Sequence, residues 1–181
     1  MSVLYVFALE AEAGDQFNDL QCLFTGVGKV QAAHQLTKEI QNSTPSKIVN
    51  VGSVGSSNFE MGKVVNPTSF YQRDMDATAL GFEEFHTPFS EGAVPLVYGE
   101  RLSEVPEAIC GSGDNFVNAT THDKPYNIID MESYALAYVA QQYNIPFLCL
   151  KYVTDGSDST AASDWQNQVH KTAKKLRSFC V

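Results

Sequence analysis

The stretch from Ile145-Pro146-Phe147 to Val153 places the tightest limit on the fold, because its nearly unbroken apolar run is the signature of a strand covered on both faces. A strand of that kind needs helices above and below it, which points to a layered α/β chain. The remaining periodicities agree. Val3 to Leu9 is a β-type run, and Glu10 to Leu20 is predicted as a short helix. Cys22 to Thr25 reads as a second strand that ends at Gly26-Val27-Gly28, and Lys29 to Gln41 carries helical spacing through Val30, Ala33, Leu36 and Ile40. After a break over Asn42 to Pro45, Lys47 to Val51 is the next strand, followed by a small-residue loop from Gly52 to Asn58. Val64 to Tyr71 is a further strand in which Pro67 marks an edge or a bulge.

In the second half, a short strand starts near Ile109 and leads to Ser112-Gly113-Asp114. Ile128 and Ile129 run into Asp130-Met131-Glu132 and a helix that reaches about Tyr143. Asp164 to Phe179 closes the chain as an amphipathic helix, with Trp165, Val169, Ala173 and Leu176 on its apolar face. No repeat, linker or low-complexity tract interrupts this alternation. Residues 1–181 therefore read as one domain, a three-layer αβα sandwich around a mixed, mostly parallel twisted sheet. The exception is Phe82 to Pro106, where Glu, Pro and Gly mix with aromatics without a period; irregular stretches of that length tend to be lids or binding loops.

Composition removes several classes of function. With 21 Asp and Glu against 12 Lys and Arg, the net charge is −9, which argues against a nucleic-acid partner. No run approaches the ~20 apolar residues of a membrane span. Cys22, Cys110, Cys149 and Cys180 are scattered without a CxxC pair. Cys22 and Cys149 lie in apolar runs and read as small buried hydrophobes in a reducing compartment, so a cytoplasmic location is expected. The four histidines are isolated and fit no metal spacing, and neither a metal nor a cofactor is expected.

Ligands of open α/β sheets bind beyond the carboxyl ends of the strands, so the polar residues at those ends are the candidates. Gly26-Val27-Gly28-Lys29 lacks the third glycine of a dinucleotide fingerprint, because Gln31 stands there. It is either a tight turn or a backbone that must approach a ligand closely. One carboxylate in Asp130-Met131-Glu132 is explained by the positive end of a helix dipole, worth about 0.3–1 kcal/mol; the second needs another reason. Thr154-Asp155-Gly156 is explained by an Asx-type turn. Taken singly, each motif has a sufficient structural reason.

Their order is more informative. Ala8-Leu9-Glu10-Ala11-Glu12, Gly26 to Ala33, Asn50 to Gly55, Asp74-Met75-Asp76-Ala77-Thr78-Ala79-Leu80-Gly81, Ser112 to Phe116, Asp130 to Ala135 and Lys151 to Asp155 follow one another along nearly the whole chain. This series resembles the nucleoside phosphorylase/nucleosidase superfamily, and within it the methylthioadenosine/S-adenosylhomocysteine nucleosidases. The resemblance implies cleavage of the N-glycosidic bond of a purine nucleoside through a ribosyl cation-like transition state. It implies that Asp155 protonates the leaving base with Thr154 orienting it, that Glu132 binds the ribose hydroxyls, and that Met131 packs against the ribose. Phe116 would stack on the base, the Val117 backbone would bond its polar edge, and Glu12 would activate water beside Ser53.

Phosphorylases of this superfamily hold phosphate with several arginines, one just before the Gly-Ser strand end; Asn50 stands there, and Arg73 is the sole arginine in the first half of the chain. A dianion without a cationic clamp is poorly accommodated, so water is the expected nucleophile. Two departures are visible. Lys151 occupies the position of an expected arginine near the water, keeping the charge without the planar fork. The chain is also short for the family, lacking a hairpin before the Gly-Val-Gly strand and a helix before Ser112. Phe85, His86 and Phe89 are candidates for the rim of the 5′-substituent pocket, which the family builds partly from a second subunit, so a homodimer is expected. The alternatives are hydrolysis of another purine nucleoside such as futalosine, a purine nucleoside phosphorylase, and a non-catalytic nucleoside-binding relative.

Overall fold

The computed structural model describes residues 2–118 and 123–180. Its elements run β1 (Val3–Phe7), α1 (Glu10–Ala13), β2 (Cys22–Phe24), α2 (Lys29–Asn42), β3 (Lys47–Gly55), β4 (Val64–Gln72), a 3-10 turn (Thr78–Leu80), β5 (Leu96–Val97), β6 (Glu107–Ser112), β7 (Ile128–Asp130), α3 (Ser133–Gln142), β8 (Phe147–Asp155) and α4 (Ala161–Arg177). β8 is buried at every position, as its apolar run requires.

Period-two alternation sorts the side chains into two cores. Leu4 and Val6 of β1, Ile48 of β3 and Phe147 of β8 face a layer that includes Leu36 of α2 and Leu136 of α3. Tyr5 and Phe7, Val49 and Val51, and Leu148 and Leu150 face the other side, where Ala13 of α1 and Leu176 of α4 meet them. Each fully buried side chain of this size contributes about 1.5–3 kcal/mol, so the two layers hold the sheet from both faces. This is the expected three-layer αβα sandwich.

The sheet has eight strands and is mixed. β2, β1, β3 and β8 run parallel in that order, as do β4, β6 and β7. β8 joins β4 antiparallel, β7 meets β3 antiparallel at Gly55 and Ile129, and β5 adds an antiparallel edge to β4. The pairings β3–β8–β4–β6–β7–β3 thus curl the sheet into a ring. Pro67 lies at a register shift between β4 and β6, the bulge its missing N–H predicts.

Several boundaries differ from the sequence expectations. The first helix stops at Ala13 rather than near Leu20, because Gly14 adopts φ 52° and its N–H closes back on the Glu10 carbonyl. β3 continues past Val51 to Gly55, since β8 pairs with it along that whole length; Ser53 therefore stands on a strand and not in a loop. β6 begins two residues before Ile109. Cys22 is only half-buried, in contrast to Cys149, because β2 is a sheet edge. Between β4 and β6 the chain forms only the 3-10 turn and β5, with no α-helix, and no hairpin separates α1 from β2.

Candidate active site

The carboxyl ends of β1, β3 and β8, the end of β7 and the loop after β6 converge on a cavity of about 250 Å³. Of the nine residues singled out from the sequence, eight line it: Glu12, Ser53, Phe116, Val117, Met131, Glu132, Thr154 and Asp155. Lys151 does not. Its ammonium is buried in a polar layer with Asp130, a lining residue that it meets at 3.0 Å.

Glu12 reaches the site from the one-turn helix α1. Its Oε1 accepts hydrogen bonds from the Ser53 N–H (2.8 Å) and the Ser53 hydroxyl (2.7 Å), and its Oε2 accepts from the Leu9 N–H (3.2 Å). Gly52 makes room for this arrangement. A Cβ there would stand 3.1 Å from Glu12 Oε1 and 3.4 Å from Lys151 Nζ.

Glu132 caps the start of α3, and its Oε1 accepts the Gly28 N–H at 2.9 Å. Gly28 itself begins α2 at φ 96°, with Asp114 Oδ1 3.1 Å from where a Cβ would lie. The Gly-Val-Gly segment is therefore both a tight turn and a close backbone approach, made to site carboxylates of the chain itself. Burial, with the neighbouring Asp130 anion, pushes the Glu132 carboxyl up to about 8.

Asp130, two residues earlier, behaves oppositely. Burial disfavours its charge, but Lys151 Nζ at 3.0 Å and the hydroxyls of Ser112 (2.6 Å) and Ser133 hold its carboxyl below the usual range. Burial would likewise lower Lys151, yet the surrounding carboxylates, Asp130 first, hold its ammonium above the ordinary lysine value. Asn50 belongs to the same layer: it donates to the Val6 carbonyl at 3.1 Å, and its Oδ1 accepts from the Cys149 thiol at 3.3 Å and lies 3.0 Å from Ser133 Oγ.

Asp155 ends β8. Its Oδ2 accepts from the Thr154 hydroxyl at 2.9 Å and its Oδ1 from the Ser157 N–H at 3.0 Å. Burial raises its carboxyl above the usual aspartate value, against those two bonds and with help from Asp164 and Asp158. Gly55 is required beside it, since a Cβ would fall 2.5 Å from Asp155 Oδ1. A carboxyl so placed holds its proton to higher pH and can donate it.

Across the cavity, Phe116 is half-exposed and Val117 adjoins it. Arg73, from the turn after β4, also lines this side, and its terminal nitrogens donate to Asn115 Oδ1 (2.7 Å), the Asn115 carbonyl and the Gly113 carbonyl (3.2 Å). The predicted rim residues are elsewhere. Phe85 is buried against Tyr71 and Tyr126, His86 faces Glu83 and Glu84, and Phe89 packs on Phe82, so none of the three lines the cavity. The length of chain without a period marks that segment as functional; within it Phe85 serves local packing, whereas Phe89 is 94% exposed.

Trp165 was missed as a site residue. Its helical spacing assigned it to the core, but its ring lines the cavity and its Nε1 donates to Ser53 Oγ at 3.0 Å. Only its position ten residues after Asp155, at the mouth of the closing helix, offered a signal.

Comparison with known proteins places this geometry in context. The model of the phosphorylase superfamily matches residues 19–180. A 5'-methylthioadenosine/S-adenosylhomocysteine nucleosidase of Haemophilus influenzae is 27% identical over 186 aligned residues, spanning 90% of this chain and 80% of the relative. One from Bacillus cereus is 30% identical, spanning 78% and 71%. Among solved structures, the Helicobacter pylori 5'-methylthioadenosine/S-adenosylhomocysteine nucleosidase superposes with a TM-score of 0.89 at 18% identity, covering 98% of this chain and 94% of that one.

Proposed function

This chain belongs to the phosphorylase superfamily, and from that premise we propose that it hydrolyses the N-glycosidic bond of a purine nucleoside, with 5′-methylthioadenosine or S-adenosylhomocysteine as substrate. The observation that carries the reading is the convergence of three carboxylates in different hydrogen-bonding environments, Glu12, Glu132 and Asp155, on one cavity. The names of the curated relatives supply the substrate class.

In this reading each group has a step. Asp155, whose carboxyl burial raises above the usual aspartate value, donates to N7 as the bond from N9 to C1′ breaks and its electron pair passes to the base. Thr154 fixes the orientation of that carboxyl. Glu132 takes the ribose hydroxyls, and Met131 packs against the ribose. Phe116 stacks on the base and the Val117 backbone bonds its edge. Glu12 accepts a proton from the water that adds to C1′, beside Ser53. The products are the free base and the 5-substituted ribose. Lys151 serves as the buried counter-charge of Asp130 and not as a ligand.

Water is the nucleophile in this reading. Arg73 is the one guanidinium lining the cavity among the described residues, and its terminal nitrogens are engaged by the loop. Asn50 is turned into the buried polar layer. A homodimer and a cytoplasmic location complete the proposal. Val97 and Tyr138, both substantially exposed, border a second groove formed by the segment before β5 and helix α3, the face on which a second subunit would close. All four cysteines are free thiols, in keeping with a reducing compartment.

The test is incubation with methylthioadenosine, S-adenosylhomocysteine, inosine and futalosine, with and without phosphate, following free base. Adenine release from the first two without phosphate is expected. No release from any of the four overturns the proposal, and release that requires phosphate makes the protein a phosphorylase. Sedimentation should give a dimer; a strict monomer removes that part.

A further inference from the structure

Glu12 is held by a chain of hydrogen bonds that starts on a distant helix. Trp165 of α4 donates its indole N–H to Ser53 Oγ at 3.0 Å, and the Ser53 hydroxyl stands 2.7 Å from Glu12 Oε1. An indole N–H has no acceptor capacity, so the Ser53 oxygen must accept from it. With that lone pair used, the single hydroxyl proton of Ser53 is directed to the carboxylate. The chain has only one sense: Trp165 to Ser53 to Glu12.

The count of lone pairs at Glu12 gives this direction a consequence. A carboxylate has about four acceptor sites. Three are filled here, two on Oε1 by the Ser53 N–H and hydroxyl and one on Oε2 by the Leu9 N–H. The remaining site, on Oε2, belongs to a side chain that lines the cavity and is 4% exposed. Without the indole, the Ser53 hydroxyl could rotate and offer its proton elsewhere, and the orientation of Glu12 would rest on backbone N–H groups alone.

We propose that Trp165 is a positioning residue: through Ser53 it fixes the carboxylate of Glu12 so that one defined lone pair faces the reacting water. The inference deepens the hydrolytic reading and rests on it for the role of Glu12. A phenyl ring at this position would fill most of the same space and leave the Ser53 lone pair unpaired. The useful property is therefore the N–H, not the bulk.

Trp165 is the single tryptophan of the chain, which gives a direct probe. In a ¹⁵N-labelled sample the one indole N–H resonance should move upfield in Ser53→Ala, as its acceptor is removed; an unmoved resonance overturns the relay. In kinetics, Trp165→Phe should lower kcat about ten-fold, the worth of one directed hydrogen bond, while KM stays within about two-fold. In the Ser53→Ala background the same substitution should cost nothing further, because the partner is already gone. A Trp165→Phe effect on KM alone, or losses that add in full, means that the ring only packs against substrate and overturns the proposal. If the wild-type protein releases no base from any nucleoside, the hydrolytic reading fails, and the indole resonance still decides the relay.

Discussion

Two carboxylates separated by one residue, Asp130 and Glu132, are both buried yet are driven in opposite directions. Asp130 lines the cavity but is satisfied from within the protein, by Lys151, Ser112 and Ser133. Glu132 faces the cavity, where the Gly28 N–H donates to it at 2.9 Å and burial pushes its carboxyl up to about 8. Asp130 is thereby saturated with partners. Glu132 is left short of them, and that deficit is what a substrate can fill. A buried charge that is fully paired is a structural device, whereas one left underpaired is available for chemistry.

The largest effect expected from breaking this contrast lies on the cavity side. Asp155→Asn should reduce base release about 10²–10⁴-fold, the usual contribution of a general acid, with thermal unfolding close to wild type. Near-normal turnover in that variant would remove Asp155 as the acid.

On the other side, Lys151→Met should leave Asp130 as an uncompensated buried anion and destabilise the fold by about 3–5 kcal/mol in denaturant titrations. Adding Asp130→Asn should recover part of that loss. A single variant as stable as wild type would show that the pair does not hold the layer.

The smallest effect sharpens the comparison through pH. The folded state keeps the Glu132 proton up to about 8, whereas the ordinary glutamate value is 4.5. Between those values the folded protein binds more protons than the unfolded chain, so stability falls as pH rises through that window. Glu132→Gln escapes this loss. Its Tm relative to wild type should be a few degrees more favourable at pH 9 than at pH 5. A difference independent of pH would mean that Glu132 is not an underpaired acid.

The sheet and its two helix layers were legible in the sequence because they depend on local periodicity, which survives without knowledge of neighbours. The boundaries that moved did so for nonlocal reasons or from one overlooked residue. β3 extends because β8 lies beside it, and α1 ends because Gly14 turns back. The cavity carboxylates were legible through their place at strand ends and the resemblance built on them. Lys151 is assigned to the site because the resemblance expects an arginine there, and only the fold shows its ammonium spent on Asp130. Trp165 was assigned to the core by its spacing, since its hydrogen-bond partner is 112 positions distant.

The amino-acid sequence by itself determined the layered α/β architecture, the alternation that sends Leu4 and Tyr5 to opposite cores, and the strand end that carries Asp155. The tertiary structure alone decided which acids are paired, which way Lys151 and Trp165 face, and how the Gly-Val-Gly backbone meets Glu132. The division has a physical origin. Burial of a face follows from a repeat only two or four residues long, whereas the charge on a carboxylate depends on distances of a few ångströms to groups that only the folded chain brings together.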